Sequence, residues 1–156
     1  NAINFLPIND LLNKQILAII LDVDGTLISG RNISVSKNIK EWVFKAKEHF
    51  YIYLLSNNPS RKRIKQIADQ LDLDYSYAAS KPHRKTLQYV LTGIQHKPEK
   101  IAIIGDRVFT DILVGNRLGL YTILVDSVDH NGNKYKNNIF QYVERKIANI
   151  ILGQKI

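Results

Sequence analysis

The chain has 156 residues, 45% hydrophobic and 23% charged, a make-up that fits one globular domain (residues 1–156) with a core of its own and excludes a disordered or fibrous chain. It has no cysteine, which excludes disulfides, thiolate zinc sites and cysteine nucleophiles and makes a reducing, cytoplasmic setting the expectation. The net charge of +8 favours anionic partners; no apolar run approaches the roughly 20 residues that span a bilayer, and no cleavable signal pattern is visible.

Residues 1–15 read as a lead-in, with a loop and short helix between Asn4 and Lys14. The run Ile16–Ile20 is continuously apolar, the pattern of a parallel strand covered on both faces. It passes directly into Leu21-Asp22-Val23-Asp24-Gly25-Thr26-Leu27. Side chains two apart on an extended segment point the same way, so Asp22 and Asp24 can face one volume at a strand's carboxyl end. Ligands of open α/β sheets bind there. Two crowded carboxylates need a cation or a shared proton, and hard oxygen ligands suit magnesium. On these residues alone, a strand end followed by a polar turn is as good a reading. A calcium loop of the EF-hand type is excluded, because Leu27, Ile28 and Ile33 follow where oxygen ligands are required.

A helix is expected over Ser36–Phe50, with Ile39, Trp42, Val43 and Ala46 inward and Ser34 or Ser36 as its cap. The second strand, Tyr51–Leu55, ends at Ser56-Asn57-Asn58. Pro59–Leu71 reads as a helix with proline in its first turn. Asp74–Ala79 is a short strand, Lys81-Pro82 opens a helix running to Leu91, and Gly93 stops it. The run Ile101–Ile104 ends at Gly105-Asp106-Arg107, with Asp111 five residues beyond Asp106. Phe109–Leu118 is helical, Tyr121–Val125 is the last strand, and 126–138 is a polar loop. Residues 139–156 carry an amphipathic helix through Ile139, Tyr142, Val143, Ile147 and Ile150. Strands alternating with helices predict right-handed βαβ units and a parallel sheet.

In chain order the strand ends carry Asp-x-Asp-x-Thr, a serine, a lysine, and Gly-Asp-x-x-x-x-Asp. This ordered set resembles the haloacid dehalogenase (HAD) superfamily of phosphohydrolases. The phrases Leu54-Leu55-Ser56-Asn57-Asn58, Ser80-Lys81-Pro82 and Gly105 to Val125 are similar to its class IIIA branch, which includes YqeG-like proteins and phosphatidylglycerophosphate phosphatases. The resemblance implies an α/β, Rossmann-like parallel five-stranded sheet in the order 5-4-1-2-3, with helices on both faces. The gaps from Asp24 to Ser56 and from Ser56 to Lys81 leave no room for a cap domain, so the site is expected either to be open to a large or membrane-embedded substrate or to receive its lid from a partner.

By the same resemblance the chain is a magnesium-dependent phosphomonoester hydrolase working through an aspartyl-phosphate. Asp22 is the nucleophile. Asp24 is the general acid and base. Lys81 offsets charge on the nucleophile and the transferring phosphoryl group, and Ser56, Asn57 and Lys81 hold phosphate oxygens. Mg²⁺ is held by Asp22, the Asp24 carbonyl and Asp106, with Asp111 orienting a bound water or Lys81. Taken singly, Ser56 would be a helix cap, Lys81 a solvated lysine and Asp106 a cap of the next helix.

Arg31, Arg61, Arg63, Arg84 and Arg107 all fall at the catalytic edge and form a candidate substrate rim. A phosphorylated small molecule or an anionic phospholipid is the expected partner, with peripheral contact to the inner face of an acidic membrane as the finer expectation. Phe5 and Leu6 would add a shallow apolar contact. The rival substrates are a soluble sugar phosphate, a nucleotide or a nucleic-acid end; a catalytically vestigial binding or phospho-relay module is the rival from another class. Nucleic acid is not the expected partner, for lack of a recognisable motif or aromatic stacking row. His49, His96 and His130 have no second ligand nearby, so zinc is not expected.

Overall fold

The computed structural model describes residues 1–135, 142–144, 146 and 147. Five strands form the centre: β1 (Ala18–Leu21), β2 (Tyr51–Leu55), β3 (Asp74–Ser76), β4 (Ile101–Gly105) and β5 (Tyr121–Leu124). All neighbours are parallel, in the order β3-β2-β1-β4-β5. Five helices connect or precede them: α1 (Ile8–Asn13), α2 (Lys37–Lys47), α3 (Arg61–Leu71), α4 (Lys85–Ile94) and α5 (Leu113–Arg117). The expected sheet order is therefore the observed one.

Strand alternation divides the core into two layers. Ile19 and Leu21 of β1 join Ile39 and Val43 of α2 and Ile64, Ile67 and Leu71 of α3 on one face. Ala18 and Ile20 join Leu87 and Val90 of α4 and Val114 of α5 on the other. All four residues of β1 and all five of β4 are buried, as central strands packed on both faces must be. Between β1 and β2 the only helix is α2, and between β2 and β3 the only helix is α3, so no domain is inserted over the site. No helix among the described residues is long and apolar enough to cross a membrane.

Several boundaries differ from the sequence expectation for local reasons. Pro59 lies outside α3; Ser60 caps the helix by accepting from the Arg63 amide at 3.3 Å. β3 stops at Ser76 instead of Ala79, and α4 starts at Lys85 instead of Pro82. The intervening backbone is irregular, with Ala78 and Ser80 at positive φ and the Lys81-Pro82 peptide cis. This turn brings Lys81 inward. Gly93 does not stop α4, which runs on to Ile94 and ends at left-handed Gln95. A side chain added at Gly93 would meet nothing within 4 Å, and a helical glycine costs only about 1 kcal/mol. The segment before α5 is a π-helical turn, Val108–Ile112. Of the expected C-terminal helix, residues 142–144, 146 and 147 are helical; Ile139 and Ile150 lie outside the described residues.

Candidate active site

The register of the sheet sets the site. Leu21 pairs with Leu54 on one side and Ile104 on the other. Asp22, Ser56 and Asp106 therefore leave three adjacent strands within one residue of the same level. All three are buried, Asp106 to 3% exposure and Ser56 completely.

Lys81 reaches this edge from the β3–α4 turn. Its ammonium lies 2.6 Å from Asp22 Oδ1 and 2.6 Å from Asp111 Oδ1, and it donates to the Leu55 carbonyl at 2.8 Å. It thus donates hydrogen bonds to Asp22 and Leu55 and lies in ion-pair contact with Asp111. Asn57 holds the lysine's backbone: its Oδ1 accepts from the Lys81 amide at 2.7 Å, and its Nδ2 donates to the Lys81 carbonyl at 2.9 Å. The Asn57 side chain is thus committed to placing Lys81, while the expectation for phosphate rests on the backbone amides near Asn57.

Carboxylates of Asp22, Asp106 and Asp111 converge so that one oxygen from each lies within 4.8 Å of the others. Burial, then the Asp111 carboxylate, pushes the Asp22 pKa up to about 8, against the opposing pull of Lys81. Burial likewise pushes Asp106 up to about 6, although the Ser127 hydroxyl bonded to its Oδ2 pulls the other way. Burial works against the Lys81 charge, but Asp22 and Asp111 more than offset it and raise its pKa. These shifts share one cause. Three carboxylates are buried close together, with Lys81 acting on all three and Arg107 on Asp106, and crowding of this kind is relieved by a proton or a cation.

Two glycines let the cluster close. A Cβ on Gly25, whose φ is +92°, would lie 2.2 Å from Asp106 Oδ2, and one on Gly105 would lie 2.3 Å from Asp111 Cγ. Only glycine fits either place. Thr26 donates to Asp22 Oδ2 at 3.3 Å.

Asp24 belongs to a different neighbourhood. Its Oδ2 accepts from Ser56 Oγ at 3.2 Å, and its Oδ1 pairs with Arg63 Nη1 at 2.6 Å. Ser56 Oγ itself accepts from the Asn58 amide at 3.0 Å. The Asp24 carboxylate is not part of the three-carboxylate cluster.

The basic rim divides. Arg31, Arg61 and Arg84 are exposed. Arg63 turns inward onto Asp24. Arg107 donates through Nε to Glu144 Oε1 at 2.8 Å, and Glu144 Oε2 accepts from the Val108 amide at 3.1 Å. Arg63 and Arg107 are therefore committed to carboxylates instead of forming free rim cations. Sequence reasoning did not find Glu144 or Ser127. Glu144 is buried while Tyr142, Val143 and Ile147 of the expected apolar face are exposed, so the amphipathic pattern pointed away from it.

Known proteins bear on this edge. A HAD-hydrolase-like family model matches residues 78–144. The probable phosphatase YqeG of Bacillus subtilis is 30% identical over 141 residues, 90% of this chain and 81% of that protein. The mitochondrial phosphatidylglycerophosphatase GEP4 of Saccharomyces cerevisiae is 35% identical over 54 residues, 35% of this chain and 27% of that protein. An uncharacterized protein from Listeria monocytogenes serotype 4b superposes with a TM-score of 0.61 at 21% identity, over 70% of this chain and 78% of that one. A predicted phosphoglycolate phosphatase from Haemophilus somnus superposes at 0.60 and 14% identity, over 75% and 88%. The two superpositions establish the fold, and the YqeG match runs along most of both chains; the chain belongs to the haloacid dehalogenase superfamily and is a phosphoric monoester hydrolase.

Proposed function

We propose that the chain hydrolyses phosphomonoesters with Mg²⁺ through an aspartyl-phosphate on Asp22. The observation that carries this is the contact between Lys81 and Asp22 at 2.6 Å within the buried carboxylate cluster at the sheet's carboxyl edge. An Asp22 oxygen attacks phosphorus, the ester P–O bond breaks, and Asp24 gives its proton to the departing oxygen. Asp24 then takes a proton from the water that releases orthophosphate. Lys81 neutralises Asp22 before attack, and Ser56 both steadies Asp24 and offers its hydroxyl to a phosphate oxygen.

The residues present fit a hard divalent cation. Three buried carboxylates each bring an oxygen within 4.8 Å of the others, and Gly25 leaves space against Asp106 that a side chain would fill. Asp22, the Asp24 carbonyl and Asp106 would hold Mg²⁺, with Asp111 fixed by Lys81 beside them. When bound, it supplies charge neutralisation for the transferring phosphoryl group.

The substrate reading is a phosphatidylglycerophosphate-like lipid. It is supported by the 54-residue similarity to a phosphatidylglycerophosphatase, by the uncapped site, and by exposed Arg31, Arg61 and Arg84. Such residues beside an anionic membrane contribute about 1 kcal/mol each within a Debye length of about 8 Å. Phe5 is 60% exposed and could make a shallow contact; Leu6 is partly buried under Trp42, whose indole donates to its carbonyl at 2.8 Å. We also take residues 1–156 as one hydrolase domain, which the single sheet supports.

The test is a substrate panel with Mg²⁺: p-nitrophenyl phosphate, sugar phosphates, nucleotides and phosphatidylglycerophosphate in mixed vesicles. Asp22→Asn is expected to lose several orders of magnitude on every substrate. Activity surviving both this change and EDTA would remove the assignment. Vesicle co-sedimentation should require acidic lipid and weaken with salt. A protein that ignores acidic vesicles and prefers a soluble phosphate would replace the lipid reading with the soluble one.

A further inference from the structure

Among the described residues, Arg63 is the one member of the basic rim that turns onto the proposed proton carrier. Its Nη1 donates to Asp24 Oδ1 at 2.6 Å, and its Nη2 donates to the carbonyls of Gly30 and Asn32 at 2.8 and 3.1 Å. Its Nε is buried without a hydrogen-bond partner. The two side chains are 14% and 38% exposed, so the pair stands where the site meets solvent. With Ser56 on Oδ2, both oxygens of Asp24 are engaged. Yet a group that must reach the departing oxygen, and then the attacking water, needs a carboxylate free to turn toward them.

The guanidinium is poorly settled in this arrangement. It sits in the first turn of α3, where a cation opposes the helix dipole. One of its donors is unused, and two of its contacts are to neutral carbonyls. A planar fork of this kind binds phosphate oxyanions in pairs more strongly than a single carboxylate oxygen. An anion arriving at the open mouth is therefore a better partner for Arg63 than Asp24 is.

We propose that Arg63 is a latch on Asp24 that makes the site selective for phosphomonoesters carrying a second anionic group on their leaving alcohol. The second anion takes the guanidinium, and Asp24 turns toward the reacting phosphate. No bond is made or broken in this step; one ion pair exchanges for another. The chemistry that follows is unchanged: the Asp22–phosphorus bond forms, the ester bond breaks, and the proton goes from Asp24 to the alcohol oxygen. A phosphomonoester without the second charge has to free Asp24 unaided and turns over more slowly. The latch rests on the reading of Asp22 as nucleophile and Asp24 as proton carrier.

Glycerol 3-phosphate and glycerophosphoglycerophosphate give matched probes, because both leave a primary glycerol alcohol and only the second carries a further phosphodiester. With the full chain and Mg²⁺, wild type should turn over the diester-bearing probe about tenfold faster or more in kcat. Arg63→Gln should bring the two values together, raising kcat on glycerol 3-phosphate while lowering kcat/KM on the other. Arg63→Lys keeps the charge but not the fork, and should fall between; it carries the test if Arg63→Gln melts early. A wild-type ratio near one, or an equal loss on both probes in both variants, overturns the latch and leaves Arg63 a structural residue. Asp22→Asn separates the two levels. If that variant is inactive while the ratio is flat, the latch alone fails; if it still hydrolyses either probe, the Asp22 chemistry fails and the latch with it.

Discussion

Two cation–aspartate pairs stand two residues apart on the same turn and share a contact distance of 2.6 Å, yet they occupy different physical worlds. The Lys81 and Asp22 side chains are 2% and 9% exposed; those of Arg63 and Asp24 are 14% and 38% exposed. In the first pair, removing either partner strands a charge where water cannot reach it. In the second, water can replace either partner. The first is therefore built to stay and the second can be exchanged.

The largest expected effect follows from that contrast. Lys81→Met in metal-free protein leaves Asp22 and Asp111 buried without their cation and should cost about 3–5 kcal/mol of unfolding free energy. Urea unfolding in EDTA at pH 9, above the Asp22 pKa of about 8, measures it. A loss under 1 kcal/mol would mean that water enters the cluster and that the two pairs are alike.

Proton linkage sharpens the same comparison. Asp22 rises from 3.8 to about 8 and Asp106 from 3.8 to about 6 on folding. Their folded-state pKa values lie above the unfolded ones, so the folded protein holds protons that the unfolded chain has released. The stability they contribute is full below pH about 4 and is lost as pH rises through 6 and 8. Metal-free protein should therefore melt at falling temperature from pH 5 to pH 9. Mg²⁺ takes the place of the proton, so the rise in Tm that it produces should grow with pH. A Mg²⁺ effect that is constant from pH 5 to pH 9 would count against the carboxylate cluster as its site.

Much of this edge was legible in the sequence, for a clear reason. Buried parallel strands announce themselves as continuous apolar runs, and whatever polar residue ends such a run stands at the sheet's carboxyl edge. Asp22, Ser56 and Asp106 were found that way, and Lys81 and Asp111 through the resemblance. The partners of long side chains were not legible. Arg63 meets Asp24 across 39 residues, Arg107 meets Glu144 across 37, and Ser127 meets Asp106 across 21. Periodicity reports which face a residue takes, not which distant group its terminal atoms reach. The close approach of Gly25 and Gly105 to the carboxylates was hidden too, because a glycine in a turn is explained locally before a tertiary contact is suspected.

Glu144 tests an intermediate case. Its side chain is 9% exposed while that of Arg107 is 42% exposed, so the pair is buried on one side only. It also accepts the Val108 amide at the start of the π-helical turn that carries Asp111. Glu144→Gln keeps the shape, weakens both contacts, and should cost about 1–3 kcal/mol. If stability is unchanged, the C-terminal segment contributes nothing to holding Asp106 and Asp111 in place. If the loss appears and Mg²⁺ affinity falls with it, the segment is part of the site's support.

The smallest expected effect on stability belongs to Arg63, and it closes the comparison with Lys81. Arg63→Gln removes one partly solvated ion pair, whose contribution is about 0–1 kcal/mol. The freed Asp24 keeps Ser56 as a donor and gains water through its exposed edge. The lost contacts to Gly30 and Asn32 are replaced by solvent at the surface of that loop. Relief of an opposed helix dipole at the start of α3 offsets part of the loss. Urea unfolding should therefore place this variant within about 1 kcal/mol of wild type while its substrate ratio changes. A loss of 3 kcal/mol or more, comparable to that expected for Lys81→Met, would show that the pair is a structural one, and an exchangeable role for Arg63 would have no physical basis.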